Sequence, residues 1–310
     1  SLAKFRRLAS SGYGYPFLKR ADFFEDPLEV YRSFREEGSP SVLLESARIS
    51  KKTGRYSFIA KNPFLTLEAK NSEVLLSSFG VKEPLHGDPF HILRQILNLF
   101  PSNTRPGFPP FVGGAIGYFG YEAKNYLEPT PACRLPAGQA GTGRLPRGIK
   151  EGSGFPDVYL MFFDEGLVFD HERRALYFFV NLKTGENYPQ SFDAGIERLD
   201  RLEKDFKKRW NRRGGVGSQR LLSEVSRRPS RFSFQNRVEA PDESLSPPES
   251  SLSRTEFIEK VSRIQEYIRQ GEIYQANLSQ RFSFTMDQDP LDVYQSLRSV
   301  NPSPFFGFLD

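Results

Sequence analysis

From Asp157 to Asn181 the chain carries two aromatic-rich apolar runs, Asp157 to Phe163 and Gly166 to Asp170, and a third run, Arg174 to Asn181, that returns on the second across Asp170-His-Glu-Arg173. A turn this short joins only antiparallel neighbours. The device recurs upstream, where Phe64 to Ala69 and Glu73 to Ser78 face each other across Lys70-Asn71-Ser72. Helix starts stand around these pairs. Asp26-Pro27, Asp88-Pro89 and Asp289-Pro290 each place an acidic N-cap before a proline at the first helical position, and Ser253-Arg-Thr-Glu256 reads as a capping box. The expected fold is α+β, with antiparallel sheets packed together and helices outside.

Leu28, Tyr31 and Phe34 share one face of the first helix, which Gly38 ends. Ser41 to Ser46 reads as a buried strand, and after a polar loop from Arg48 to Thr53 the chain re-enters a strand over Arg55 to Ala60. The second helix runs to Phe100. Phe111 to Gly120 mixes apolar residues with Gly113, Gly114, Gly117 and Gly120, a strand that other backbone or a ligand approaches closely. The G-x-G-x-x-G spacing of a dinucleotide site is absent there. Pro129 to Gly154 is an apparent insertion without apolar periodicity and reads as a surface loop. Ile196, Leu199, Leu202 and Phe206 mark an amphipathic helix through about Trp210.

These signals divide the chain into an amino-terminal domain over 1–210, a Gly-, Ser- and Pro-containing linker over 211–252 and the start of a second domain over 253–310. In the last part, Phe257, Val261, Ile264 and Ile268 form a buried helical stripe that Gly271 stops in a left-handed conformation. Residues then alternate in character from Ile273 to Phe284, which predicts a strand. A third Asp-Pro helix turns Leu291, Tyr294 and Leu297 inward, and Asn301-Pro-Ser-Pro304 forces a rigid corner before a last strand at Phe305 to Phe308.

At 310 residues, 38% hydrophobic and 14% aromatic, the chain can fill one large core or two ordinary ones. No apolar run reaches the ~20 residues that cross a bilayer, and the first residues lack a signal-peptide core, so a cytoplasmic location is expected. The first residue is not Met, so the start as well as the end is expected to be missing. A single cysteine, Cys133, and the three histidines His86, His91 and His171 give no zinc spacing. The net charge of +5 comes from a basic segment between Lys204 and Arg237. It fits phosphate backbones or, the reading adopted, a solvated helix end entering a linker, with neither nucleic acid nor membrane as partner.

No Ser/His/Asp set, Cys/His pair or close carboxylate pair stands out. The polar pair Glu45-Ser46 can take the ammonium of an amino acid, and Pro304, Phe305 and Phe306 offer a slot for an aromatic ring. On the residues alone, a structural salt bridge at Glu45 and ordinary core aromatics are the favoured reading.

The run Gly271-Glu-Ile-Tyr-Gln-Ala-Asn-Leu-Ser-Gln-Arg-Phe282, followed after one helix by Asn301-Pro-Ser-Pro-Phe-Phe-Gly-Phe-Leu-Asp310, resembles the chorismate-utilising part of the anthranilate synthase and aminodeoxychorismate synthase component I family. Leu43-Leu-Glu-Ser46, Gly54 to Ala60, Phe111 to Glu122 and Phe155 to His171 recur in the family's order. The resemblance implies an anthranilate synthase component I-like fold, incomplete in its chorismate-binding part. It implies a tryptophan-like pocket built from Glu45, Ser46, Pro304, Phe305 and Phe306, with Arg55, Tyr56 and Ser57. It also implies Mg2+ as cofactor, chorismate as substrate and a glutamine amidotransferase subunit as ammonia donor. Catalytic residues and metal ligands are expected after Asp310 and none in this chain, which alone is expected to be inactive.

Ala276-Asn277 stands where anthranilate synthases carry two apolar residues, and Phe305-Phe306-Gly307 where they carry Tyr-Met. Both departures resemble the aminodeoxychorismate branch, which makes 4-amino-4-deoxychorismate for folate. The anthranilate branch and a regulatory amino-acid-binding module without catalysis remain the alternatives.

Overall fold

The computed structural model describes residues 13–21, 23–46, 54–71, 73–99, 107–127, 154–183, 188–212, 248–286 and 288–310. The chain divides into two compact units, Ser1–Arg227 with Leu297–Asp310, and Arg228–Ser296.

In the first unit, β1 (Tyr13–Ala21), β2 (Ser41–Glu45), β3 (Tyr56–Lys61), β9 (Glu165–Asp170), β10 (Ala175–Lys183) and β13 (Phe306–Leu309) form a six-stranded sheet in the order β1-β10-β9-β3-β2-β13. A five-stranded sheet takes β4 (Leu65–Lys70), β5 (Glu73–Ser78), β6 (Val81–His86), β7 (Gly114–Phe119) and β8 (Val158–Phe163) in the order β6-β5-β4-β8-β7. Every pairing is antiparallel. The α+β expectation holds, as do both expected hairpins.

Alternation along the strands builds the layers. Val42 and Ala60 of the first sheet pack on Ile116, Met161 and Phe163 of the second, closing the sandwich. On the far face of the second sheet, Leu65, Leu67, Val74, Leu76, Val158 and Leu160 bury Ile92 and Ile96 of α2 (Pro89–Leu99). A short helix, α3 (Lys124–Leu127), follows β7.

The far face of the first sheet carries α1 (Pro27–Phe34) and α4 (Tyr188–Arg212). Phe206 meets Phe34, Phe178 and Phe23 at ring distances of 6.3, 5.4 and 5.4 Å. Each such buried aromatic stabilises the fold by about 2 kcal/mol. Ion pairs then fix α4 in place. Arg198 holds Asp164 through two nitrogens at 2.7 and 2.8 Å and Glu165 at 2.7 Å, while the buried Lys61 reaches Glu36 at 2.7 Å and Asp205 at 2.8 Å.

The second unit contains α5 (Arg254–Arg269), whose N-cap Ser253 and Glu256 form the expected capping box, and Gly271 takes the left-handed φ of 74°. A two-residue ladder pairs β11 (Glu249–Ser250) with β12 (Phe282–Ser283). The last helix, α6 (Pro290–Val300), begins in this unit and ends in the first.

Several expectations fail. Residues 273–284 are not a strand: only Phe282–Ser283 pairs, and Tyr274 is 92% exposed, because alternation without a partner strand leaves the backbone nothing to bond. The stripe of α5 is not buried, since Phe257, Val261 and Ile264 are half-buried and Ile268 is exposed. In α4, Leu199, Leu202 and Phe206 are buried but Ile196 is exposed, and the buried face continues through Gly195 instead. Leu297 is exposed, and the first helix stops at Phe34 before Gly38 is reached. The last strand is present as expected, as β13, and it joins β2 of the first unit.

The close approach expected at Gly117 is real and comes from backbone: a Cβ there would lie 1.9 Å from the Tyr159 carbonyl oxygen. Cys133, the insertion, the loop of residues 48–53 and most of the linker with its arginines lie outside the described residues. Of the basic segment that is described, Lys207 and Arg209 are engaged by Glu203, Asp205 and Glu36.

Candidate functional site

β13 lies antiparallel to β2 with Phe306 opposite Glu45 and Phe308 opposite Leu43. β2 in turn pairs with β3, Leu44 opposite Phe58, so one further step of the same register brings Glu45 level with Ser57. Ser57 stands opposite Phe169 of β9. One rung of the sheet therefore reads Phe306, Glu45, Ser57, Phe169. Phe308 packs on Tyr31 of α1 at 5.8 Å and Phe169 on Phe24 at 6.0 Å, so the rung faces the helical layer.

Polar groups collect over its middle. The Glu45 side chain is 0% exposed, and its Oε2 lies 3.1 Å from Nη2 of Arg298. Arg298 sits in the last turn of α6 and also donates to Asp26, Nη1 to Oδ1 at 3.1 Å and Nη2 to Oδ2 at 2.8 Å. Asp26 is at once the N-cap of α1, its Oδ1 accepting from the Leu28 N–H at 2.8 Å. Ser57 Oγ bonds His171 Nε2 at 2.7 Å, and Phe24 stacks edge-on against that imidazole at 5.9 Å. Burial pushes the His171 imidazole below its usual range, Asp170 and Asp26 pull it back up, and Arg298 adds to the fall. Ser46, next along from Glu45, is also buried.

The expected site residues thus separate. Glu45, Ser57 and Phe306 share one rung, and Ser46 is buried just past the end of β2. Tyr56, the neighbour of Ser57, turns to the opposite face and packs in the sandwich with Val112, Val168 and Phe179. Arg55 is engaged by Asp170, Nη2 to Oδ2 at 2.8 Å and Nε to Oδ1 at 3.2 Å, and by Glu172 at 2.8 Å. Burial alone would raise the Asp170 carboxyl, but Arg55 and the Arg173 N–H outweigh it and hold the group below its usual range. Pro304 is half-buried at the corner, and Phe305 is 79% exposed. Asp26, His171 and Arg298 belong to the cluster although sequence reasoning did not place them there.

A buried carboxylate and the Ser57 hydroxyl beside an aromatic ring can hold an ammonium group attached to a ring. No group of three or more His, Cys, Asp and Glu side chains converges to hold a metal among the described residues, so no step involving Mg2+ is assigned to them. Among the same residues no helix is long and apolar enough to cross a membrane.

The family described as chorismate binding enzyme matches residues 40–310, and the chain belongs to that family. Similar proteins include anthranilate synthase component 1 of Acetivibrio thermocellus, 30% identical over 287 residues, covering 92% of this chain and 51% of that protein. Anthranilate synthase component 1 of Pseudomonas aeruginosa is 29% identical over 313 residues, covering 99% and 56%. Aminodeoxychorismate synthase component 1 of Bacillus subtilis is 25% identical over 296 residues, covering 95% and 53%. Among solved structures, anthranilate synthase component I of Streptococcus pneumoniae has a TM-score of 0.49 and 23% identity, covering 92% of this chain and 54% of that one. The chain spans about half the length of the curated relatives it matches.

Proposed function

We propose that the chain belongs to component I of a chorismate-aminating synthase of the aminodeoxychorismate branch, working with a glutamine amidotransferase that supplies ammonia and with Mg2+ bound outside the residues described above. The observation that carries the class is the family match over residues 40–310. The branch rests on Ala276-Asn277 and Phe305-Phe306-Gly307, where the residues depart from the anthranilate pattern. In this reading the Phe306, Glu45, Ser57 rung is a regulatory or structural site for an aromatic amino acid. Glu45 and Ser46 take its ammonium and Phe306 its ring. Arg55, Tyr56, Pro304 and Phe305 shape the surroundings without touching the ammonium. Phe306, where Met stands in the anthranilate branch, narrows the slot for an indole and weakens feedback by tryptophan.

A second reading, anthranilate formation, is favoured by the names of the 30% and 29% identical relatives. The two separate by product. Full-length protein given chorismate, Mg2+ and an ammonium salt is expected to yield 4-amino-4-deoxychorismate, which a lyase converts to para-aminobenzoate. Direct appearance of fluorescent anthranilate would establish the second reading, and consumption of chorismate without amination would overturn both.

A further inference from the structure

Tyr177, Phe179 and Asn181 alternate onto the same face of β10, and the first two pack inside the sandwich with Val112 and Val168. A polar amide therefore stands third in an apolar row. Asn181 is 6% exposed, and its backbone N–H donates to the Asp164 carbonyl at 2.6 Å. Its side-chain Oδ1 is sealed from solvent and meets no donor among the described residues. Next to this amide lies the Gly113-Gly114 bend that leads into β7, with φ of 122° and 139°. A Cβ on Gly113 would stand 3.2 Å from Asn181 Nδ2, 3.4 Å from the Asn181 Cβ and 3.1 Å from the Phe163 carbonyl oxygen.

An unmatched amide oxygen in an apolar layer is costly, and a leucine of similar shape would serve better there unless the oxygen is used. Its ligand must donate a hydrogen bond. That ligand must also be small, because even the methyl group that alanine would bring to Gly113 is crowded by three atoms. It must be neutral as well: the Asp164 carboxylate is already held by Arg198 at 2.7 and 2.8 Å and offers no charge to an ion. Water meets all three conditions. We infer that Asn181 Oδ1 anchors one buried water between the two sheets. This water holds β10 to the bend, and so sets the point at which Phe111 and Val112 enter the sandwich. The site lies on the opposite face of the first sheet from Glu45 and Ser57, and Asn181 acts there as a positioning residue.

Asn181→Leu in the full-length protein tests the site by two readouts. Magnetic relaxation dispersion of solvent oxygen counts long-lived internal waters, and the variant should show one fewer than the wild type. Its urea midpoint should fall, because expelling the water strands the other groups that the water satisfies. A dry, unpaired oxygen predicts the reverse: replacing it with an apolar group of similar shape raises the midpoint. An unchanged water count therefore overturns the site, and a higher midpoint overturns its role as a tie between the sheets. Should Asn181→Leu fail to fold, a high-resolution crystal structure of the wild type decides. A solvent peak within about 3.2 Å of the Asn181 side-chain oxygen is the expected result. An amide bonded directly to a backbone N–H, with no solvent peak beside it, would overturn the proposal.

Discussion

His171 sits between a hydroxyl and two charges, bonded to Ser57 Oγ at 2.7 Å and within electrostatic reach of Asp26 and Arg298. Because its pKa is lowered on folding, the unfolded chain binds the proton more readily, and stability must rise with pH across that window. The contribution is complete above the ordinary imidazole value of 6.5 and is lost as pH falls below it. Asp170, Asp205 and Glu203 are also depressed, so their contribution persists to more acid conditions and fails as pH drops beneath the ordinary carboxylate values of 3.8 and 4.5. Acidification should therefore lower the urea midpoint in two stages. His171→Gln should abolish the first stage and spare the second, and a variant that keeps the slope near neutrality would falsify this assignment.

At this same scale the sequence shows Glu45 and Ser46 through their motif but hides Arg298. The signal was present. Leu291, Tyr294 and Arg298 are spaced three and four apart, so the arginine takes the stripe position that the sequence reading gave to Leu297. In the sequence Asp26 signals a helix cap, a role that it does fill, and nothing local reveals its second partner in a helix far along the chain.

Among the elements, those with internal punctuation were legible. All three Asp-Pro starts open helices, and the Asp88 carboxylate accepts from the Phe90 and His91 N–H groups at 3.0 and 3.2 Å. β1 and β6 are not among the strands that the sequence predicts. β6 is a half-exposed edge strand containing Pro84, so it lacks the apolar alternation that marks a strand with a buried face. The turn that feeds it is strained in an informative way. Phe79 and Gly80 have φ of 49° and 79°, the pair of positive values of a type I′ hairpin, yet Phe79 is a bulky aromatic that is 86% exposed. Phe79→Asn supplies the residue type such a turn prefers and removes no core contact. It should stabilise the protein by about 0.5–1 kcal/mol, seen as a higher urea midpoint with an unchanged slope. A lower midpoint would mean that the phenyl ring makes a contact worth more than the backbone strain.

For the molecule as a whole, the sandwich and its α+β character followed from two hairpins and a handful of caps, whereas the layer order did not. Which face of the first sheet receives α4 depends on Arg198 reaching Asp164 and Glu165 at the β8–β9 turn, and on Lys61 reaching Glu36 and Asp205. Such pairings across long separations leave no periodic trace in a sequence. Arg198→Ala should cost about 2 kcal/mol, because it strands two partly buried carboxylates and not merely one surface pair. Chemical denaturation checks this, and a loss below about 0.5 kcal/mol would reduce the contact to an ordinary exposed salt bridge.

The pairing of β13 with β2 sets an order of events during synthesis. Val42 through Glu45 leave the ribosome early, but the strand that covers their outer edge, Phe306 through Leu309, emerges only after the rest of this chain has been made. For that interval the nascent sheet exposes an uncompleted hydrogen-bonding rim, and the Glu45 carboxylate is without the guanidinium that Arg298 brings to it. A nascent chain stalled before residue 298 would thus present the outer edge of β2 unpaired, with neither β13 nor Arg298 yet available to it.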